Sequence, residues 1–366
     1  MKNYKKYNIF IFFSTIARNI VEVFSAVLLY KMGYSIRNIL LFFFLLYFVG
    51  IFVNYITLSL TKIINPKVIL LVSSFLFSLT FYFLSIMENT VDNLIIYSIL
   101  FSISSYTYHS LRHYFALKVL NKNQNQKKVG NILICSYLAI ILSSYLGSYI
   151  TDNQGLITTV IITIIISLIS MIPLILIKTT PDYKQTKMLD TIKKMKNKNT
   201  LFFFFEQFKV IFLSLQPLYL FIYVKNNLEY IGLFNIFASI ASLIFVYLFL
   251  RKFNQNKCFL FLTSLFSLVL FLKINITNNI ILLIIAFLEG LFTKMYETVS
   301  LENIYSEGVN KETTSYLILT EFIFCFTRSL ICLIFYLLNF NIKIMLSICI
   351  FGILISGFIK REKISV

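Results

Sequence analysis

The sequence predicts an all-α polytopic membrane protein with twelve transmembrane helices. Of its 366 residues, 58% are hydrophobic and 13% are charged, and the mean hydropathy is +0.84. Soluble proteins average about 25% charged residues. Apolar stretches of about 20 residues, the length that crosses a bilayer core, recur along the whole chain. These stretches are apolar on every side, whereas the strands of a membrane β-barrel alternate between apolar and polar residues.

Twelve segments are long and apolar enough to cross the membrane as helices. They are predicted at residues 8–30, 37–60, 68–87, 94–117, 130–150, 156–177, 200–224, 230–250, 258–274, 279–300, 314–338 and 342–359. On the side of the two termini, the connections and termini hold 23 Lys and Arg residues. The five on the other side are Lys31, Arg37, Lys225, Lys273 and Lys343. Because cytoplasmic loops carry an excess of positive charge, we expect a multi-pass protein of the cytoplasmic (inner) cell membrane with both termini in the cytoplasm.

The net charge of +18 does not predict nucleic-acid binding. The basic residues lie in short loops between apolar spans, where they face anionic lipid headgroups. The five cysteines are scattered through apolar segments without a CxxC pair, which is typical of small buried residues. We therefore expect a small-molecule substrate and membrane lipids as partners, no nucleic acid, no cofactor and a monomeric chain.

A basic segment divides the chain into two halves. Residues 178–199 contain seven lysines and follow the sixth span. We predict an N-terminal six-helix bundle at 1–178, a cytoplasmic linker at 179–199 and a C-terminal six-helix bundle at 200–366. The segment 60–70 also aligns with 250–260 at an offset of 190 residues, with matching lysines at Lys62 and Lys252 and at Lys67 and Lys257. Both segments lead from the second to the third helix of their half, so the halves are related.

With this topology and repeat, the chain resembles the major facilitator superfamily of secondary transporters over its full length. The family's motif between the second and third helices combines Gly and Asp with basic residues. At 57–67 this chain has Lys62 and Lys67 but lacks the Gly and the Asp. The resemblance implies two pseudo-symmetric six-helix bundles around a central cavity. It also implies that helices one, four, seven and ten line this cavity, with helix eleven beside them.

Charged residues inside the spans are concentrated in the first, fourth, seventh, tenth and eleventh. A charge at mid-helix costs about 2.5–3.5 kcal/mol on insertion scales and is usually paired or functional. The candidate residues of a substrate- or proton-binding cavity are Arg18, Glu22, His109, Arg112, Glu206, Lys209, Glu289, Glu321 and Arg328. Lys294 and Glu297 lie nearer a membrane edge and are predicted to form a gating or structural pair. The ninth span is among those with no comparable interior charge.

The predicted cavity charges balance, with five acids and five bases. Such a cavity suits a polar neutral or zwitterionic solute, or a proton that breaks one pair to open a gate. Glu22 and Glu289 are the candidate proton carriers, because a carboxylate near the membrane centre can exchange protons near neutral pH. His109 and His113 can also titrate. Their spacing of four residues suits a metal, but no third ligand is evident and Arg112 opposes a cation, so no metal site is expected.

The leading interpretation is a secondary active transporter that moves a small polar, zwitterionic or amphipathic solute by alternating access, with a proton as the candidate coupling ion. Two alternatives stay open. A lipid-linked glycan or lipid flippase is favoured by a groove that faces lipid and by an excess of basic residues. A membrane-embedded enzyme using His109, Arg112 and His113 is favoured by reactive residues in one cytoplasmic-side pocket. Because the sequence contains no phosphate loop, GxSxG motif or nucleophile triad, we do not expect an enzyme.

Overall fold

The computed structural model describes residues 2–119, 125–177, 197–248, 259–310 and 313–359, and these contain helices and no strand. The helices are α1 (Lys2–Asn19), α2 (Ser25–Lys31), α3 (Ile36–Leu60), α4 (Pro66–Ile86), α5 (Val91–Val119), α6 (Asn125–Gln154), α7 (Leu156–Ile175), α8 (Asn197–Tyr223), α9 (Leu228–Leu248), α10 (Phe259–Asn275), α11 (Asn279–Asn310), α12 (Thr313–Leu338) and α13 (Ile342–Phe358). A short 3-10 turn (Glu22–Phe24) separates α1 from α2. The predicted all-α class is confirmed.

The described helices account for the twelve predicted spans. Nine spans in the described part of the chain are long and apolar enough to cross a membrane, the first being formed by α1 and α2 together. The shorter apolar helices α10 and α13 and the more polar α5 complete the set. Most of the predicted linker at 179–199 and the 250–258 part of the repeat lie outside the described residues.

Several helices begin where the sequence supplies a side-chain cap. The Ser35 hydroxyl accepts from the Asn38 amide at 3.2 Å ahead of α3, and the Asn65 side chain accepts from the Lys67 amide at 3.1 Å ahead of α4. Pro66 occupies the first position of α4, where its missing N–H has no helical partner to lose. Such caps satisfy amide groups that the first helical turn leaves without acceptors.

The two halves use the same internal packing. In the first half α1 packs on α6 and α7, α3 on α5, and α4 on α5 and α7. In the second half the equivalent helices repeat all five pairs: α8 packs on α12 and α13, α9 on α11, and α10 on α11 and α13. The halves meet through α6 with α9 and α3 with α12, two contacts that the same pseudo-symmetry relates to each other.

The first span is broken, although the sequence predicted one continuous helix over 8–30. After Asn19 the helical hydrogen bonding shortens, because the Val21 amide bonds to the Arg18 carbonyl at 3.2 Å. The side-chain amide of Asn19 donates to two serine hydroxyls of α6, both at 2.9 Å. Gly147 of α6 lies so close to the Ile20 backbone that a Cβ would stand 2.6 Å from its carbonyl oxygen. The missing side chain therefore lets α6 approach the break.

We call the end of the bundle where α1 begins the terminus face and the opposite end the distal face. At the distal face Lys31 donates to Asp152 at 2.9 Å, and Asp152 also accepts from the Leu228 amide at 3.0 Å. The rings of Tyr30 and Phe221 meet nearby with centroids 6.2 Å apart. Asp152 belongs to the first half, whereas Leu228 and Phe221 belong to the second. The contacts of Asp152 with Leu228 and of Tyr30 with Phe221 therefore hold the two halves together at the distal face.

Gly290 provides a test of helix packing within the second half. A Cβ there would lie 1.9 Å from the Ala238 carbonyl oxygen, and the Gly290 carbonyl accepts from Ser242 at 2.8 Å. We expect Gly290→Ala to destabilise the protein by about 1–3 kcal/mol, because backbone atoms cannot yield without separating α9 from α11. The measurement is the loss of helical circular dichroism on heating the purified protein in detergent. Ser264→Ala, at an exposed helical position, is the control, and equal stability of both variants would contradict the close packing.

Candidate functional site

A cavity of about 690 Å³ lies between the two halves. In the first half its walls come from the first span, α3, α5 and α6, and in the second half from α8, α11 and α12. The lining extends from Tyr7, near the start of α1, to Pro217, near the end of α8. The contacts of Tyr30 with Phe221 and of Asp152 with Leu228 join the halves at the distal face.

The break in the first span brings Glu22 to the cavity wall. Its carboxylate accepts from Arg18 Nη1 at 2.8 Å and from the Ser105 hydroxyl at 2.6 Å. Arg18 is itself buried between the rings of Phe77 and Tyr108, with ring centroids 4.3 and 3.8 Å from its Cζ atom. The expected pairing of Arg18 with Glu22 is present in the structure. However, only Glu22 of the two lines the cavity.

Four charges from α8 and α11 form a second group on the cavity wall, which we call the quartet: Glu206, Lys209, Lys294 and Glu297. Glu297 is shared by two lysines, with Lys209 Nζ at 3.3 Å and Lys294 Nζ at 3.1 Å. Glu206 lies 4.0 Å from Lys209. The two lysines are almost fully buried, with side chains 6% and 1% exposed. Mutual neutralisation allows these charges to remain out of water.

Arg328 and Glu321 lie on the same helix, α12, and both line the cavity. Arg328 donates through Nε to Gln207 Oε1 at 2.8 Å. Its guanidinium also lies 5.7 Å from the ring centroids of Tyr47 and of Phe324. Glu321 is buried and stands 4.0 Å from His113 Nε2.

The polar stripe of α5 also faces the cavity. His109 and His113 both line it, together with Arg112. Arg112 donates to the Ser136 hydroxyl at 3.4 Å, and its carbonyl accepts from Tyr7 at 2.9 Å. Among the described residues, no group of three or more His, Cys, Asp and Glu side chains is arranged to hold a metal ion.

Glu289 lies away from the cavity, in a position that the sequence did not indicate. It accepts from Lys273 Nζ at 2.6 Å, and both side chains are buried, at 3% and 1% exposure. Lys273 therefore does not belong with the basic residues of the outer connections, and the ninth span does carry an interior charge. The Phe234 ring centroid lies 4.1 Å from the same ammonium group. The pair packs inside the second half instead of facing a substrate.

The structure therefore brings nine of the eleven predicted site residues to one cavity, and Arg18 and Glu289 are the two that do not line it. The charges of the described lining remain balanced, with four acids and four bases. The acids are Glu22, Glu206, Glu297 and Glu321, and the bases are Arg112, Lys209, Lys294 and Arg328. Aromatic residues that sequence reasoning did not select, among them Phe42, Phe43, Tyr47 and Tyr106, complete the walls.

A family model described as "Major Facilitator Superfamily" matches residues 8–331 of the chain. The chain belongs to the major facilitator superfamily. The resemblance predicted from topology and repeat is thus confirmed. Because members of this superfamily are transporters, the chain is a membrane transporter and not an enzyme.

Solved structures agree with this membership at the level of the fold. The chain superposes on the crystal structure of the nucleoside transporter NupG with a TM-score of 0.70 and 12% identity, covering 98% of each chain. A point mutant of the same transporter gives a TM-score of 0.70 and 11% identity, covering 97% of this chain and 98% of that one. No curated protein sequence matches the chain. At such identities the likeness concerns the fold alone.

The pairing of Lys273 with Glu289 can be tested by its effect on stability. Removing one partner of a buried ion pair leaves an uncompensated charge and costs about 3–5 kcal/mol. We therefore expect Glu289→Gln to lower the thermal stability of this superfamily member strongly. The double variant Lys273→Met with Glu289→Met should recover most of the loss, because it removes both charges.

The measurement is thermal unfolding followed by circular dichroism, with Lys343→Met at an exposed lysine as the control. A double variant less stable than Glu289→Gln would contradict the pairing.

Proposed function

We propose that this transporter is a secondary active carrier that moves a small polar, zwitterionic or amphipathic solute by alternating access, with proton coupling. The observation that carries the proposal is the charge-balanced cavity between the two halves. Its volume of about 690 Å³ suits a small solute, since sites for small molecules usually measure roughly 300–1,000 Å³. The aromatic walls suit an apolar part of such a solute, and the charged residues suit its polar groups.

The charge balance also bears on the flippase alternative. An excess of basic residues in a groove open to lipid would favour an anionic lipid-linked substrate. The described lining residues instead contain equal numbers of acids and bases and lie between the two halves. A solute carrier is therefore the better interpretation. The nucleoside named for the NupG structures is one polar and amphipathic compound to include among the solutes tested.

Alternating access requires the contacts at the distal face to separate. Contacts that cross between the halves there, and would break, are Asp152 with the Leu228 amide, Asn153 with Glu229, and Tyr30 with Phe221. The first two are single hydrogen bonds among exposed or half-buried groups, and such bonds contribute only about 0.5–1.5 kcal/mol. Because these bonds are weak, they oppose opening of the distal face only slightly.

The quartet provides a mechanism for proton coupling. Glu297 holds two lysines at once, and Glu206 lies beside one of them. Two lysines at these distances favour the ionised carboxylate, so Glu297 would bind a proton in a conformation in which α8 and α11 hold the lysines farther away. In this proposal the proton drives the exchange between the two conformations. Glu297 thereby joins Glu22, which also lines the cavity, as a candidate proton carrier, and it takes the place of Glu289.

Proton coupling through Glu297 can be tested in vesicles by comparing accumulation with exchange. We expect Glu297→Gln to abolish accumulation of substrate driven by an imposed pH gradient, because its side chain no longer changes charge. Counterflow exchange without a gradient should persist, since that reaction needs no net proton movement. Glu88→Gln, at an exposed carboxylate of the distal loop, is the control. Gradient-driven accumulation by Glu297→Gln at the wild-type level would rule out this role.

We also propose that the terminus face is cytoplasmic, on the basis of the 23 basic residues predicted on that side. A reporter enzyme that is active only outside the cytoplasm should be inactive when fused at the C-terminus. The same reporter should be active when fused after Asn89, in the connection between α4 and α5 at the distal face. The reverse pattern would contradict the orientation while leaving the fold intact.

A further inference from the structure

We propose that the transported solute is a zwitterion whose carboxylate binds Arg328 and whose ammonium group binds Glu321. This inference rests on the proposed transport function and narrows its substrate class. It comes from two charges of the cavity lining for which the described residues supply no partner of full opposite charge within 4.0 Å. They lie on one helix, face one cavity and carry opposite signs.

Arg328 is held in place without being neutralised. Within the described part of the chain no carboxylate lies within 4.0 Å of its guanidinium. Arg18, Lys209 and Lys294, by contrast, each have a carboxylate oxygen within 3.3 Å. Gln207 fixes Nε, and Tyr47 and Phe324 flank the group. The terminal amino groups remain for other acceptors, of which the Tyr106 hydroxyl is one. A positioned guanidinium of this kind matches the two oxygens of a carboxylate.

Glu321 is the least compensated carboxylate among the described cavity acids. Glu22 has an arginine at 2.8 Å, and Glu297 has lysines at 3.1 and 3.3 Å. The single ion pair found for Glu321 is with His113 at 4.0 Å, and histidine carries a full charge only when protonated. Arg328 also attracts Glu321, but from beyond 4.0 Å. A buried carboxylate whose cationic partners are distant or only partly charged is costly. An ammonium group from a solute would therefore be bound strongly at this position.

The spacing of the two residues sets the length of the solute. Seven residues separate Glu321 from Arg328, so both face one side of α12, with Cα atoms about 10 Å apart. The Arg328 side chain leans toward the start of the helix, as helical side chains do, and so shortens the gap. A dipeptide spans at most about 7 Å between its ends. A solute of that length, or an ω-amino acid of similar length, can contact both groups, whereas the charges of glycine are too close together.

The part of α12 between the two groups packs against the first half. Cys325, which lies between Glu321 and Arg328 on α12, accepts from the Asn54 amide of α3 at 3.2 Å. Ser110 of α5 in turn donates to the Asn54 side-chain oxygen. These contacts join α12 to the first half. Because Glu321 and Arg328 belong to one helix, the separation of their backbones is defined before the solute binds. The Tyr47 and Phe324 rings beside Arg328 favour an apolar body between the charges.

The test measures binding and uptake of four zwitterions: glycine, 4-aminobutanoate, 6-aminohexanoate and alanylphenylalanine. Binding is measured to the purified wild-type protein in detergent, and uptake is measured in vesicles. We expect the longer compounds to bind and glycine to bind weakly or not at all. N-acetylation or C-amidation of the best ligand should each reduce binding by roughly 10- to 100-fold, because each removes a charge-assisted contact. Equal binding of a blocked derivative and its parent overturns the proposal.

Two variants assign the charges to their residues. Arg328→Gln should weaken binding of the parent zwitterion by roughly 10- to 100-fold but have little further effect on binding of the C-amidated derivative. Glu321→Gln should show the converse with the N-acetylated derivative. Arg37→Gln and Glu88→Gln, at exposed positions outside the cavity, are the matched controls. Elution volume and circular dichroism confirm folding of each variant. Losses that do not depend on which end of the ligand is blocked overturn the assignment.

Neutral solutes distinguish failure of this proposal from failure of the proposed function. Uridine and glucose are tested in the same vesicles. Gradient-driven uptake of a neutral solute, with no binding of any of the four zwitterions, overturns the zwitterion proposal while transport stands. If no solute is bound or accumulated, the zwitterion proposal is overturned and the proposed function loses its support as well.

Discussion

The organisation of this protein depends on the cost of placing charge in a bilayer. A charged side chain at the centre of a membrane helix is unfavourable by several kcal/mol, so each one needs a partner or a polar cavity. The buried Lys273 satisfies this rule inside the second half through Glu289, and Arg18 satisfies it inside the first half through Glu22. The remaining interior charges collect where the halves meet, and there they create a cavity in which a polar solute finds several charged side chains together.

The fold could be predicted from the sequence because apolar length and the distribution of basic residues report directly on the membrane. The twelve spans and the superfamily both followed from those features. The break near Ile20 could not be predicted, because it depends on the approach of Gly147 and on serines of α6 that are more than 120 residues away in the chain. The local sequence over 8–30 offers no Pro or Gly to mark the break.

The candidate site was predictable in its charges but not in their pairing. Spacing along one helix correctly placed Arg18 beside Glu22. Lys273 was missed because it lies two residues before the end of α10 and looks like a loop residue. Its partner stands about 12 Å deeper along the adjacent helix, given 1.5 Å per residue. The lysine therefore points inward, whereas a side chain near a helix end would usually extend to water. Gln207 and the aromatic residues of the cavity walls carry no charge, so a search for charged residues inside the spans does not find them. Gln207 and Tyr47 nevertheless position Arg328.

The partners of the buried charges also differ in how far apart they lie along the chain, and this has a consequence for biogenesis. Arg18 and Glu22 belong to one span, and Lys273 and Glu289 belong to one helical hairpin, so each pair can neutralise itself as its segment leaves the translocon. Lys209 with Glu297, and His113 with Glu321, join helices separated by several spans. Lys209 and His113 must enter the membrane before these partners have been synthesised, Lys209 with Glu206 of its own helix 4.0 Å away. The sites nearest the cavity are therefore completed last during assembly, after the rest of each half has a stable place in the lipid.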